Sequence, residues 1–169
     1  DVKVGSGAFM KTEERARELA QSLIATGRQL GVATSALLTD MNQPLAPALG
    51  NGLEVAEAMR VLTGAANGPL AGLSCALGGL ALGNAGLCGT LEEGAEAIHA
   101  AIGDGRAAEA FGRMVGAMGG PVRFVDSWAR FLPEATVIRE MPAGEAGCIA
   151  AMDGEAMGLA VIALDGVRQ

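Results

Sequence analysis

Asp1-Val2-Lys3-Val4-Gly5-Ser6-Gly7-Ala8-Phe9-Met10 opens the sequence, and its reading decides the fold. Asp1–Val4 reads as an extended apolar strand, and Gly5 and Gly7 then supply a tight turn. Thr12 follows as a helix N-cap, with Glu13 and Glu14 where the helix dipole favours acids. Ala16, Leu19, Ala20, Leu23, Ile24 and Leu30 recur at helical spacing up to Gly31, a natural stop. Val32–Leu38 is apolar and β-branched enough for a buried strand, ending at Thr39-Asp40-Met41. Strand, helix and strand in succession form a βαβ unit, so a parallel pair with a right-handed crossover is expected. Ligands of α/β proteins gather where such strands end.

Downstream, Asn42 to Asn51 is a loop bent by Pro44, Pro47 and Gly50. Helices are expected from Asn51 or Gly52 to Gly64, from 69 to 86, from Thr90 to Ile102 and over Ala107–Met118. Thr90-Leu91-Glu92-Glu93 is a capping box. Phe124–Leu132 reads as a short amphipathic helix, Ala135–Met141 and Gly147–Met152 as strands, and Asp153 as the cap of a last helix, Glu155–Leu164. The expected class is α/β, a mixed, partly parallel sheet flanked by helices, in one domain over residues 1–169.

Charge narrows the partners. Lys and Arg total 12 against 19 Asp and Glu, a net charge of -7, which argues against a nucleic-acid footprint. No charged residue lies between Arg60 and Glu92, a run long enough to span a bilayer. Glycines and Pro69 punctuate it, and no aromatic belt marks its ends, so it reads as a glycine-packed core helix and no membrane partner is expected. Cys75, Cys88 and Cys148 lack metal-ligand spacing, and His99 is the single histidine, which leaves little material for zinc. The thiols read as buried and reduced, and the opening residues lack a signal-peptide pattern, so a cytoplasmic location is expected.

Familiar catalytic motifs do not fit. Gly5-x-Gly7 lacks the third glycine of a dinucleotide fingerprint, because Met10 stands there, and no Walker lysine follows. No Gly-x-Ser-x-Gly elbow exists, and His99 reads as a surface residue rather than a base. Asp40, Glu54 and Glu57 are the acids gathered near one loop, with Glu54 and Glu57 on one helical face. Their plain reading is a solvated acidic face.

The opening decapeptide, with Leu38-Thr39-Asp40-Met41-Asn42-Gln43-Pro44-Leu45 and Gly50-Asn51-Gly52-Leu53-Glu54-Val55-Ala56-Glu57-Ala58, resembles thymidine phosphorylases and related pyrimidine-nucleoside phosphorylases. Gly105–Val115, Met152-Asp153 and Gly158–Val161 extend the likeness over nearly the whole chain. The resemblance implies phosphate-dependent cleavage of a pyrimidine nucleoside to free base and pentose 1-phosphate, with inorganic phosphate as co-substrate. That chemistry needs phosphate held in line with C1′ and donors for the departing base. In the family, the groups that hold phosphate and base lie upstream of the segment corresponding to Asp1. Asp165 and Val167 stand where the family has glycines. The resemblance therefore implies the central part of a large α/β domain, without the small helical domain, the phosphate-binding segment and the C-terminal subdomain. Such a chain is expected to be inactive alone.

Two positions carry over. Phe9 matches an apolar contact to the pyrimidine ring, with a core aromatic anchoring the loop as the alternative. Leu45 and Ala48, through their carbonyls, and Glu57, through its carboxylate, match ligands of a monovalent cation such as potassium. The family's homodimer forms chiefly through the small helical domain. A phosphoribosyltransferase of the anthranilate type, using a pyrophosphate-sugar and magnesium, is a second reading, and a non-catalytic module of the same fold a third.

Overall fold

The computed structural model describes residues 1–164. Asp165 and Val167 lie outside the described residues. The order is β1 (Val2–Val4), α1 (Glu13–Gln29), β2 (Leu38–Asp40), α2 (Asn51–Leu62), α3 (Pro69–Asn84), α4 (Leu91–Gly103), α5 (Arg106–Ala117), a 3-10 segment at Val125–Arg130, and α6 (Gly154–Ala163). The α/β class holds.

β1 and β2 pair in parallel, Val2 opposite Leu38, Lys3 opposite Thr39 and Val4 opposite Asp40. α1 crosses between them and buries Ala16 and Ala20, one turn apart, against Val2. Its larger periodic residues, Leu19 and Leu23, lie exposed beside that contact. Small side chains thus bring the helix onto the strand. Thr12 caps α1 as expected, its hydroxyl accepting from the Arg15 amide.

The second strand is shorter than Val32–Leu38 and displaced towards Asp40. A parallel ladder lasts only as long as its partner, and β1 offers three residues. Val32 is instead exposed and turns off the end of α1, its amide donating to the Gly27 carbonyl at 2.9 Å.

Ala135–Met141 and Gly147–Met152 are not strands. Every residue from 134 to 151 is exposed, Ile138 and Ile149 among them. β-propensity marks a fit to a pleated, half-buried surface, and nothing in the described residues supplies one there.

The uncharged run at 61–91 folds as the end of α2, the whole of α3, the two connections that flank α3 and the first residue of α4. Only one face of α3 is buried, at Ala71, Cys75 and Gly79. Among the described residues no helix is long and apolar enough to cross a membrane. The capping box of α4 forms as read, Thr90 Oγ1 accepting from the Glu93 amide at 3.1 Å and Glu93 Oε2 from the Thr90 amide at 3.3 Å. All three cysteines are free; Cys75 is buried, but Cys88 is half-buried and Cys148 exposed, which corrects the reading of three buried thiols.

Candidate functional site

The parallel strands end together, and the loops that leave them touch. Met41 donates its amide to the Val4 carbonyl at 2.6 Å, and its own carbonyl accepts from the Gly7 amide at 3.0 Å. Gly5 sits at φ +136°, and a Cβ there would fall 2.7 Å from the backbone of Met41 and Asn42. Glycine is therefore required twice at this turn, by its dihedral and by the second loop packed on it. Asn42 is held by Asp40, whose Oδ1 accepts from both its backbone and side-chain nitrogens, and its Oδ1 accepts from the Ser6 amide at 3.0 Å.

Between Gly5 and Met10 the loop closes on itself. The Gly5 amide donates to the Met10 carbonyl and the Ala8 amide to the Gly5 carbonyl. Phe9 stands on this loop, 100% exposed, with Ala8 beneath it buried. Within this chain the Phe9 side chain packs into no core. The ring borders a cleft shared with Leu19, Leu23, Met10 and Met41.

Lys3 and Met41 also line the neighbouring cavity, of about 330 Å³. That cavity contains Asp40, Leu45, Ala48, Glu54 and Glu57, with Leu70 and Leu73 of α3 as apolar wall. The fold thus gathers Leu45, Ala48 and Glu57 in one place, and the three acids border the same cavity, with Asp40 and Glu54 still exposed and Glu57 half-buried. Each acid is already engaged. Asp40 holds Asn42, Glu54 Oε1 accepts from the Gly50 amide at 2.9 Å, and Glu57 Oε1 pairs with Arg60 Nη1. Among the described residues no cluster of three or more His, Cys, Asp and Glu could hold a metal ion. His99 is exposed on α4.

Sequence reading missed the far side of the Phe9 loop. Ser6 Oγ donates to the Met152 carbonyl at 3.0 Å and accepts from the Gly154 amide at 3.4 Å. Lys11 Nζ donates to the Ser6 carbonyl at 2.8 Å and to Glu155 Oε2 at 3.0 Å. Contacts across more than 140 residues leave no periodic trace, so no local signal could have found them.

Residues 1–108 match the model of the glycosyl transferase family, a/b domain. The chain is 47% identical over 169 residues to thymidine phosphorylase of Burkholderia cenocepacia (strain HI2424) and equally to that of Burkholderia orbicola (strain AU 1054). Each alignment covers 99% of this chain and 39% of the relative, so the chain spans about two fifths of the length of these relatives. The matched residues contain both strands, the glycine turn and the cavity between them, and with well over half of its length matched the chain belongs to the glycosyl transferase family, a/b domain.

Proposed function

We propose that this chain is the central part of the large α/β domain of a thymidine or pyrimidine-nucleoside phosphorylase, a cytoplasmic pentosyltransferase of nucleoside salvage. The observation that carries the reading is 47% identity, sustained over 169 residues, to proteins named thymidine phosphorylase. The rival phosphoribosyltransferase reading draws no support from those relatives. In the whole enzyme, inorganic phosphate would attack C1′ of the nucleoside and the pyrimidine would leave, within a homodimer formed largely by other segments.

Phe9 is the proposed substrate contact of this chain. An exposed aromatic ring on a loop held at both ends can lie against a pyrimidine with little loss of conformational freedom. Potassium is the proposed ion of the adjoining cavity, held by the Leu45 and Ala48 carbonyls and the Glu57 carboxylate. Among the described residues no hydrogen bond ends on either carbonyl, and an all-oxygen set suits a hard cation. Arg60 engages one oxygen of Glu57, so ion binding would compete with that pair.

Two assays test the reading. Incubated with thymidine and phosphate, the chain alone is expected to release no thymine above background; robust phosphorolysis would overturn the placement of the catalytic groups outside it. Substituted for the aligned segment of the Burkholderia cenocepacia relative, the chain is expected to support phosphorolysis that falls when potassium is replaced by a bulky organic cation. A folded but inactive chimera would count against the functional reading, and activity indifferent to the cation against the potassium site.

A further inference from the structure

We propose that Ser6 and Gly154 are a positioning pair that sets where the Phe9 ring stands. The proposal rests on the reading of Phe9 as the pyrimidine contact. Ser6 lies within the matched family segment, but its partners at Met152–Glu155 lie beyond it, because the family model ends at residue 108.

The loop from Gly5 to Met10 has two flanks. One is tied to the strand ends through Met41 and Asn42. The other is tied to the start of α6, where Ser6 Oγ is used at both of its ends, as donor to Met152 and acceptor from Gly154. The approach is as close as backbone allows: a Cβ on Gly154 would lie 2.8 Å from Gly7 Cα and 3.0 Å from Gly7 N. Lys11 adds an exposed ionic tie to Glu155 while holding the Ser6 carbonyl. Two residues after Gly7 stands Phe9, wholly exposed. With its ring touching no core, Phe9 takes its position entirely from the loop backbone, and that backbone is gripped from both sides. A Ser6 side chain without its hydroxyl would leave one flank unsecured.

Amide hydrogen exchange on the 169-residue chain reads this directly. Ser6→Ala is expected to speed exchange at Gly7 and Ala8 about tenfold, the effect of one ordinary hydrogen bond, with the amides of α3 and α4 unchanged. Ser6→Thr, which keeps the hydroxyl, is expected to restore slow exchange. Unchanged loop amides in Ser6→Ala, or equal acceleration throughout the molecule, would overturn the proposal. The chimera with the Burkholderia relative separates this claim from the reading beneath it. If Phe9→Ala leaves KM for thymidine unaltered, the pyrimidine contact fails; if Phe9→Ala raises KM and Ser6→Ala does not, the positioning pair fails alone.

Discussion

Gly79 of α3 and Gly94 of α4 meet backbone to backbone. A Cβ on Gly79 would lie 2.7 Å from the Ala95 nitrogen, and one on Gly94 would lie 2.7 Å from Gly79 Cα. This contact seats α4 on the helix whose Leu70 and Leu73 wall the cavity. Gly79→Ala is therefore expected to destabilise the chain by about 1–3 kcal/mol, the usual cost of overpacking. The better helix propensity of alanine, about 1 kcal/mol, offsets only part of that. Gly72 and Gly83 lie on the same helix with nothing near a Cβ, and alanine at either is expected to stabilise by about 0.5–1 kcal/mol. Urea denaturation midpoints of the three variants decide the matter: a stabilising Gly79→Ala would contradict the helix crossing.

Gly5→Ala is expected to strain the strand-end turn by about 1–3 kcal/mol, because φ of +136° is combined with overlap on the Met41 and Asn42 backbone. The loss should be local as well as global. In nitrogen–proton correlation spectra, the Ser6 and Gly7 amides, bonded to Asn42 and Met41, should shift most. Unmoved Ser6 and Gly7 signals would refute the packing of the two loops.

Thr90→Ala removes one half of the capping box of α4 and is expected to cost about 1 kcal/mol. Glu93 also accepts from the Gly89 amide, so Glu93→Ala should cost at least as much although its side chain is exposed. Thermal or urea unfolding measures both. Neutral effects would mean that α4 holds its first turn through packing alone.

Two exposed carboxyls carry a pH signature. The Arg106 backbone N–H, donating at 3.1 Å, holds Asp104 below the usual carboxylate range, with help from the guanidinium. Backbone and Thr12 hydrogen bonds do the same for Glu14 in the first turn of α1. A depressed folded-state pKa contributes stability above the unfolded value, and that contribution is lost as pH falls through the folded one. Carboxyl carbon titrations should therefore show both groups turning at lower pH than in short peptides. Asp104→Asn should flatten the acid limb of the stability curve slightly, as suits an exposed group. A titration midpoint at or above the peptide value would refute either hydrogen bond.

Local chemistry accounts for what was legible in advance. Thr12, Thr90 and Asp153 cap the helices they were expected to cap, because capping is a hydrogen bond within four residues. The parallel pair was readable because strand, helix and strand follow one another in sequence. The apolar runs Ala135–Met141 and Gly147–Met152 carried a strand signal too, and no strand resulted, because a strand exists only against another strand.

By itself the sequence determined the helices, the βαβ start and, through the opening decapeptide, Leu38–Leu45 and Gly50–Ala58, the family. The tertiary structure decided three things that depend on distant backbones meeting. It shortened β2 to the length of β1, brought Leu45, Ala48 and Glu57 to one cavity, and fastened the Phe9 loop to residues beyond 150. At the Phe9 loop the physical reason is glycine. Gly5, Gly7 and Gly154 are indistinguishable from loop glycines until the atoms a side chain would strike are known, and those atoms belong to other parts of the chain.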